Sequence, residues 1–229
     1  MAKYAKAVES GIDFLPLSNE RKNKYYNKDG KVTKITIHHM AGIMKAADCA
    51  LMHKRGGKSS ANYYIGKDGE ILVGVPEDRR AWTSSSREND YQSITIEVSN
   101  NMTRSPWSVD SKVMDVLIDL CADLCKRHNI VPQYDGTPVA TFTEHRMFAK
   151  TLCPGEYLHL NMANIANQVT RRLLQETQTN SKTYTVKKGD NLTKIAARHQ
   201  ISVSDLIMLN PSIKDPNKIY PGEVLTVSW

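Results

Sequence analysis

Apolar and polar residues alternate along the chain in two periods. Residues 34–40, 61–65, 71–75, 93–98 and 139–143 are short alternating or apolar runs bounded by turn residues, which predicts five strands. Lys67-Asp68-Gly69-Glu70 separates the second run from the third and predicts a hairpin. Residues 46–54, 111–129 and roughly 161–174 carry the helical period. In the second of these, Val113, Val116, Leu117, Leu120, Cys121 and Leu124 form one apolar stripe. Strands mixed with helices predict an α/β fold, a mixed central β-sheet flanked by helices. Residues 1–30 show little periodicity and read as an arm packed on this first domain, 1–174. Residues 175–182 are polar without apolar anchors and read as a linker. Residues 183–229 then give a short strand, two helices and a closing strand, a small βααβ unit.

Composition narrows the class. The chain has 229 residues, 40% of them apolar and 24% charged. No apolar run reaches the ~20 residues needed to span a bilayer. The basic N-terminus is not followed by an apolar stretch, so the expectation is synthesis in the cytoplasm without a cleaved signal. The formal charge of +7 favours polyanionic partners: nucleic acid, an anionic membrane, or a bacterial wall rich in phosphate and carboxylate. Its basic residues are dispersed and no nucleic-acid motif appears, so nucleic acid is not an expected partner. Oligomeric state is not legible. Of the four cysteines, Cys121 and Cys125 read as packing residues on a buried helix face, and only Cys153 has a chemically suggestive context.

Two segments carry candidate chemistry: Lys34-Ile-Thr-Ile-His38-His39-Met-Ala-Gly42 and Thr143-Glu-His145-Arg-Met-Phe-Ala-Lys-Thr151-Leu-Cys153-Pro-Gly155. A strand-end His with a distant His and Cys offers three ligands suited to Zn²⁺, leaving a fourth position open. Strand parity selects between the adjacent histidines. Ile35, Ile37 and His39 share one face, and Thr36, His38 and Met40 the other. If helices cover the isoleucines, His38 looks into an open face. The run 93–98 divides the same way, which puts Glu97 with His38; the alternative for Glu97 is a solvated strand carboxylate. His53, His128, His159 and His199 read as structural.

These segments resemble the type 2 N-acetylmuramoyl-L-alanine amidases, a group that includes phage lysins and peptidoglycan recognition proteins. The matching stretches are ITIHHMAG, SANYYIGKDGEI, AWTSSSRENDYQSITIEVSN and EHRMFAKTLCPG, over about residues 32–174. The resemblance implies zinc ligands at His38, His145 and Cys153 and a catalytic carboxylate at Glu97. Ala61 stands where some members have Tyr. Thr151 stands where many lysins have Lys; it could donate a hydrogen bond to an oxyanion but brings no charge. Asn62, Tyr64 and Trp82 are candidates for lining the substrate groove, with core packing the other reading of Trp82.

Residues 183–229 resemble LysM modules through Tyr184-Thr-Val-Lys-Lys-Gly-Asp-Asn-Leu-Thr-Lys-Ile-Ala, Leu209-Asn-Pro and Ile219-Tyr-Pro-Gly-Glu. That implies glycan binding, mapped onto Gly189, Asp190, Asn191, Leu192 and Ile213, with packing as the other reading of Leu192 and Ile213. The expected function is zinc-dependent cleavage of the amide between N-acetylmuramic acid and L-alanine in bacterial peptidoglycan, as a phage or prophage endolysin. The alternatives are a non-catalytic recognition protein and a host autolysin of the same chemistry.

Overall fold

The computed structural model describes residues 4–180, 182–213 and 215–228. Residues 1–3 of the expected arm, residue 181 of the expected linker, and residues 214 and 229 of the C-terminal unit lie outside them. The chain forms two compact units that divide between Arg171 and Arg172.

In the first unit the elements run β1 (Val8–Glu9), β2 (Ser18–Glu20), β3 (Lys34–His39), α1 (Ala46–Gly56), β4 (Tyr63–Ile65), β5 (Ile71–Val73), β6 (Arg79–Ala81), α2 (Arg87–Gln92), β7 (Ser93–Val98), α3 (Ser111–His128) and β8 (Phe142–Glu144), and α4 (Glu156–Asn180) begins there and continues past Arg171. Six strands make one mixed sheet in the order β1-β5-β4-β7-β3-β8, and β2 pairs with β6 separately. At its centre β3 lies parallel to both β7 and β8, and β7 parallel to β4. The β4–β5 pair is the expected antiparallel hairpin, with Gly69 at φ +79° in its turn. Parallel strands need both faces covered. Ile35, Ile37, Ile94 and Ile96 are accordingly fully buried, and so are Leu117, Leu120 and Leu124 of the α3 stripe. On the His38 face Met40 and Tyr64 join Ala46, Cys49 and Ala50 of α1 in a second apolar cluster with Phe14 and Leu17. Cys121 and Cys125 are buried free thiols, as their packing reading requires.

The N-terminal arm packs on the first domain as expected, β1 adding an edge strand and β2 pairing with β6. Three expectations need correction. The strand read at 139–143 lies at Phe142–Glu144, and Val139 is left exposed, because only residues 142–144 find a partner in β3. The last helix begins at Glu156, straight after Gly155 at φ +85°, and runs to Asn180 through residues read as a linker. It contains no Gly or Pro to stop it, and its terminal Gln and Glu are good helix formers. Finally, the polar face is not open along its length. Thr36, Thr95 and Thr143 are fully buried, and Asn89 of α2 donates to Thr36 Oγ1 at 2.9 Å. The sequence reading had no α2. This six-residue helix is set by its Ser86 cap and by Asp90, whose carboxylate accepts from Thr83 N, Ser84 N and Ser84 Oγ.

Two buried charges tie the arm and α3 to the sheet. Arg21 is buried and donates only to main-chain carbonyls: Glu77 (2.8 Å), Asp90 (3.4 Å), Tyr91 (3.1 Å), Ser93 (3.0 Å) and Arg79 (2.8 Å). Burial lowers its guanidinium to about 10, against the opposing pull of Glu77, Asp78 and Asp90, so it stays charged at neutral pH. Glu77 is 5% exposed and binds Arg127 through both oxygens (2.6 and 2.8 Å), His128 (2.8 Å) and the Tyr63 hydroxyl.

The second unit is a βααβ fold: β9 (Thr183–Thr185), α5 (Leu192–Arg198), α6 (Val203–Leu209) and β10 (Val224–Thr226), with β9 and β10 antiparallel. Its core holds Val186, Leu192, Ile195, Ala196, Leu206, Leu225 and Val227. Without a disulfide it relies on satisfied turns. Asn191 caps α5, Ser202 and Asp205 form a capping box on α6, and the Asn210 side chain bridges Leu206 O to Thr226 N and O. Among the described residues no helix is long and apolar enough to cross a membrane.

Burial by itself raises the Glu77 carboxyl, but hydrogen bonds from His128, Arg127 and Tyr63 overcome it and hold the group down to about 2. A folded value below the unfolded one, roughly 4.3, means the ionised group stabilises the fold above that pH and ceases to as pH falls through about 2. Glu77→Gln is therefore expected to cost about 3 kcal/mol in urea unfolding at pH 7. The gap from wild type should close as the pH is taken from about 4.5 towards 2. A gap that stays constant over that range would assign the loss to packing instead.

Candidate metal centre

Three parallel strands deliver the site at their carboxyl ends, where ligands of such sheets gather. His38 ends β3 and stands directly opposite Glu97 of β7, and Tyr64 of β4 is the partner of Glu97 on its other side. β8 leads straight into His145, the first residue of a 3-10 turn, and the following loop returns with Cys153. The result brings together His38, His145 and Cys153, whose donor atoms lie within 4.8 Å of one another.

The donor set fits a tetrahedral metal. Cys153 Sγ is 3.6 Å from His38 Nδ1. The N···S edge of a zinc tetrahedron with ordinary bond lengths is about 3.5 Å. The His38 and His145 rings are 4.7 Å apart, and Nε2 of each is buried without a hydrogen-bond partner. Burial, then the neighbouring His145, keeps His38 well below its ordinary pKa, and burial lowers that of His145. Both are thus neutral, the ligating form of imidazole. Burial pushes the Cys153 thiol far up, opposed by a hydrogen bond from the His39 main-chain N–H. A cation at this point is what would draw out its thiolate form.

Glu97 is 6% exposed, and the neutral His38 imidazole stands beside it with Nδ1 4.0 Å from Glu97 Oε1. Burial pushes its carboxyl up to about 8, close to the pH where a group serves both as base and as acid. The solvated-carboxylate alternative does not hold. Thr151 is half-buried, and its Oγ1 accepts the Cys153 N–H at 3.2 Å, which shapes the loop and leaves the hydroxyl proton available.

The remaining site expectations divide. Asn62 and Tyr64 do not line a groove: both are fully buried. Asn62 is spent on the Val75, Pro76 and Arg79 carbonyls and on Thr95 N, because it closes the end of β4. The Tyr64 hydroxyl meets His53 Nδ1 and Ala61 N, so it is committed within the core. Trp82 is half-buried against the Phe14 and Leu17 cluster with Nε1 on Asn19 Oδ1, which agrees with its packing reading. The other histidines are structural: His53 on Tyr64, His128 on Glu77, His159 on Glu144, and His199 against Tyr184. In the second unit Leu192 is 3% exposed and core, so its side chain offers no surface to a glycan. Ile213 packs half-buried on the same core, Asp190 accepts from Tyr184 Oη and Lys187 N, and Asn191 caps α5. Gly189 sits at φ +90° in the turn before that helix.

The sequence reading missed Trp107. Its ring meets His39 edge-on at 5.4 Å, and a side chain at Gly155 would strike both residues. The loop that carries it is tied to α4 by Tyr157 N donating to Pro106 O at 2.9 Å. The Pro-Trp pair in a polar loop was the available signal.

The model of the N-acetylmuramoyl-L-alanine amidase family matches residues 28–156, and that of the LysM domain residues 184–228. The chain is 27% identical over 203 residues to the N-acetylmuramoyl-L-alanine amidase XlyB of Bacillus subtilis, covering 83% of this chain and 61% of that protein. It is 58% identical over 45 residues to the endolysin of Bacillus phage PZA, 20% of this chain and 17% of that one. It thus spans less than two thirds of either relative. Among solved structures, the Staphylococcus aureus hydrolase AmiA aligns with a TM-score of 0.59 at 15% identity, over 77% of this chain and 87% of its own. The endolysin amidase LysCS of Clostridium intestinale aligns at 0.54 and 21% identity, over 72% and 97%. These alignments show a shared fold.

Because the thiol of Cys153 must lose its proton to ligate, Zn²⁺ affinity is expected to rise with pH, by about tenfold per unit for one displaced proton. Competition with a chromophoric chelator between pH 6 and 8, scaled roughly as stated, checks this. A pH-independent affinity would remove Cys153 from the ligand set, and Cys153→Ser should flatten the profile.

Proposed function

Since the chain belongs to the N-acetylmuramoyl-L-alanine amidase family, we propose that it hydrolyses the amide joining the lactyl group of N-acetylmuramic acid to L-alanine in bacterial peptidoglycan, as an endolysin does. The observation that carries the reading is the register that sets Glu97 opposite His38 while Cys153 Sγ closes to 3.6 Å of the same imidazole. Zn²⁺ held by His38, His145 and Cys153 would supply Lewis acidity at the scissile carbonyl.

The chain's own groups supply the rest. Glu97 is the one carboxylate facing the ligand cluster from β7, and its raised pKa suits it to take a proton from the attacking water. The same oxygen then returns that proton to the L-alanine nitrogen as the C–N bond breaks. The Thr151 hydroxyl, whose oxygen already accepts from Cys153 N, would donate its proton towards the developing oxyanion. The His39 N–H steadies the Cys153 sulfur, and Trp107 walls the same side through His39. The LysM unit supports retention on the wall glycan, with Gly189, Asp190, Asn191 and Ile213 as the candidate contacts at its turn and loop.

Mass spectrometry of purified peptidoglycan digested by the full chain tests the reading. Stem peptides with a free L-alanine amine are expected, absent with chelator. Glu97→Gln should slow their release by about 10²–10⁴-fold while the protein still binds zinc. New reducing sugar ends or cleavage within the stem would assign another bond. Retention on an intact wall without any new amine would make the chain a recognition protein.

A further inference from the structure

The cationic excess is dispersed in sequence, but the fold gathers part of it at the end of the first unit remote from His38. The segment joining β2 to β3 displays Lys22, Lys24, Lys28 and Lys31, all exposed. Within residues 22–31 these four cations face one acid, Asp29, a net of +3. Among the described residues none of the four lysines is in an ion pair.

The display is rigid. Asn23 and Asn27 bridge each other through main-chain bonds of 2.8 and 2.9 Å. Asn27 Nδ2 holds Lys31 O and Tyr91 O, and Tyr26 stacks on Tyr91 at 5.4 Å. Tyr25 is left 75% exposed with the Lys24 ammonium 4.8 Å above its ring. Beside this loop Gly30 and Lys31 border a cavity of about 520 Å³, whose far wall includes Asp78, Arg127 and His128. Glu77, also in that wall, is committed to Arg127, His128 and Tyr63 and does not oppose an incoming anion freely.

We propose that this face binds a wall polyanion whose repeat is a phosphodiester. Lysine ammoniums are hydrated point charges that follow a flexible phosphodiester chain without needing fixed bidentate geometry, and the neighbouring Arg21 is buried on main-chain carbonyls. The exposed Tyr25 ring and the cavity offer apolar surface to the polyol or sugar between phosphates. Val32 and His38 are six residues apart in extended chain, roughly 20 Å, so polymer and scissile amide occupy opposite ends of β3. The wall as the source of the polymer rests on the amidase reading, but the binding itself does not need hydrolysis.

The test uses the full chain and purified poly(glycerol phosphate), which carries no amino sugar for the LysM unit. Wild type is compared with the fourfold variant Lys22→Gln, Lys24→Gln, Lys28→Gln, Lys31→Gln and with the matching fourfold Lys→Arg variant. At roughly 0.15 M salt the Gln variant is expected to bind at least about tenfold more weakly, with a shallower dependence of affinity on salt. The Arg variant should bind like wild type, and all three should cleave a soluble muramyl peptide equally. Equal binding by the Gln variant would overturn the proposal, and so would tighter binding of wild type to a single-stranded oligonucleotide of matched phosphate count. Wild type that cleaves but does not bind polymer sinks this inference alone; binding without cleavage sinks the amidase reading alone.

Discussion

The pairing of β3 with β7 is the constraint on which the rest of the molecule depends. These are the two longest strands, they lie side by side, and their register is fixed from Lys34–Ser93 to His39–Val98. Side chains alternate between faces, so a slip of one residue would carry every isoleucine off the α3 side and His38 away from Glu97. The hydrophobic demand of Ile35, Ile37, Ile94 and Ile96 for burial therefore also aligns an imidazole with a carboxylate at the carboxyl end of the sheet. Core packing and site geometry are set by one register.

Around that pair, the other elements limit where water can go. α1 packs Cys49 and Ala50 on the His38 face, and α2 with its preceding loop buries Thr36, Thr95 and Thr143 under a layer of satisfied hydrogen bonds. At the end of the face where the four site residues converge, His38 and Glu97 are buried and His145 and Cys153 half-buried. Their shifted proton affinities follow from that enclosure, since desolvation is the leading cause for each.

Much of this was legible in the chain. Parity in residues 34–40 and 93–98 separates the core isoleucines from His38 and Glu97, and the α3 stripe and the β4–β5 turn follow from local pattern. The ligand triplet was legible through resemblance more than through spacing, because Cys153 reaches His38 only by a loop whose path no periodicity encodes. Elements stabilised by capping and buried polar contacts were illegible. α2 has no apolar stripe, β2 and β6 exist by pairing with each other, and α4 runs on past its apolar stripe to Asn180. Asn62 and Tyr64 look like surface recognition residues in sequence. Their burial is decided by Val75, Pro76, Arg79 and His53, which approach from elsewhere in the chain.

Arg21 clasps the chain at residues 77, 79, 90, 91 and 93, and every group it holds is a main-chain carbonyl. Such a clasp recognises the path of the backbone and is blind to the side chains that the path carries. The attachment itself is therefore indifferent to the side chains at those positions, although the Glu77 and Asp90 carboxylates carry bonds of their own. Arg21 has no such indifference, since lysine lacks the forked donors that reach five carbonyls at once. The identity of one side chain in the N-terminal segment thus stands in for the path of several others.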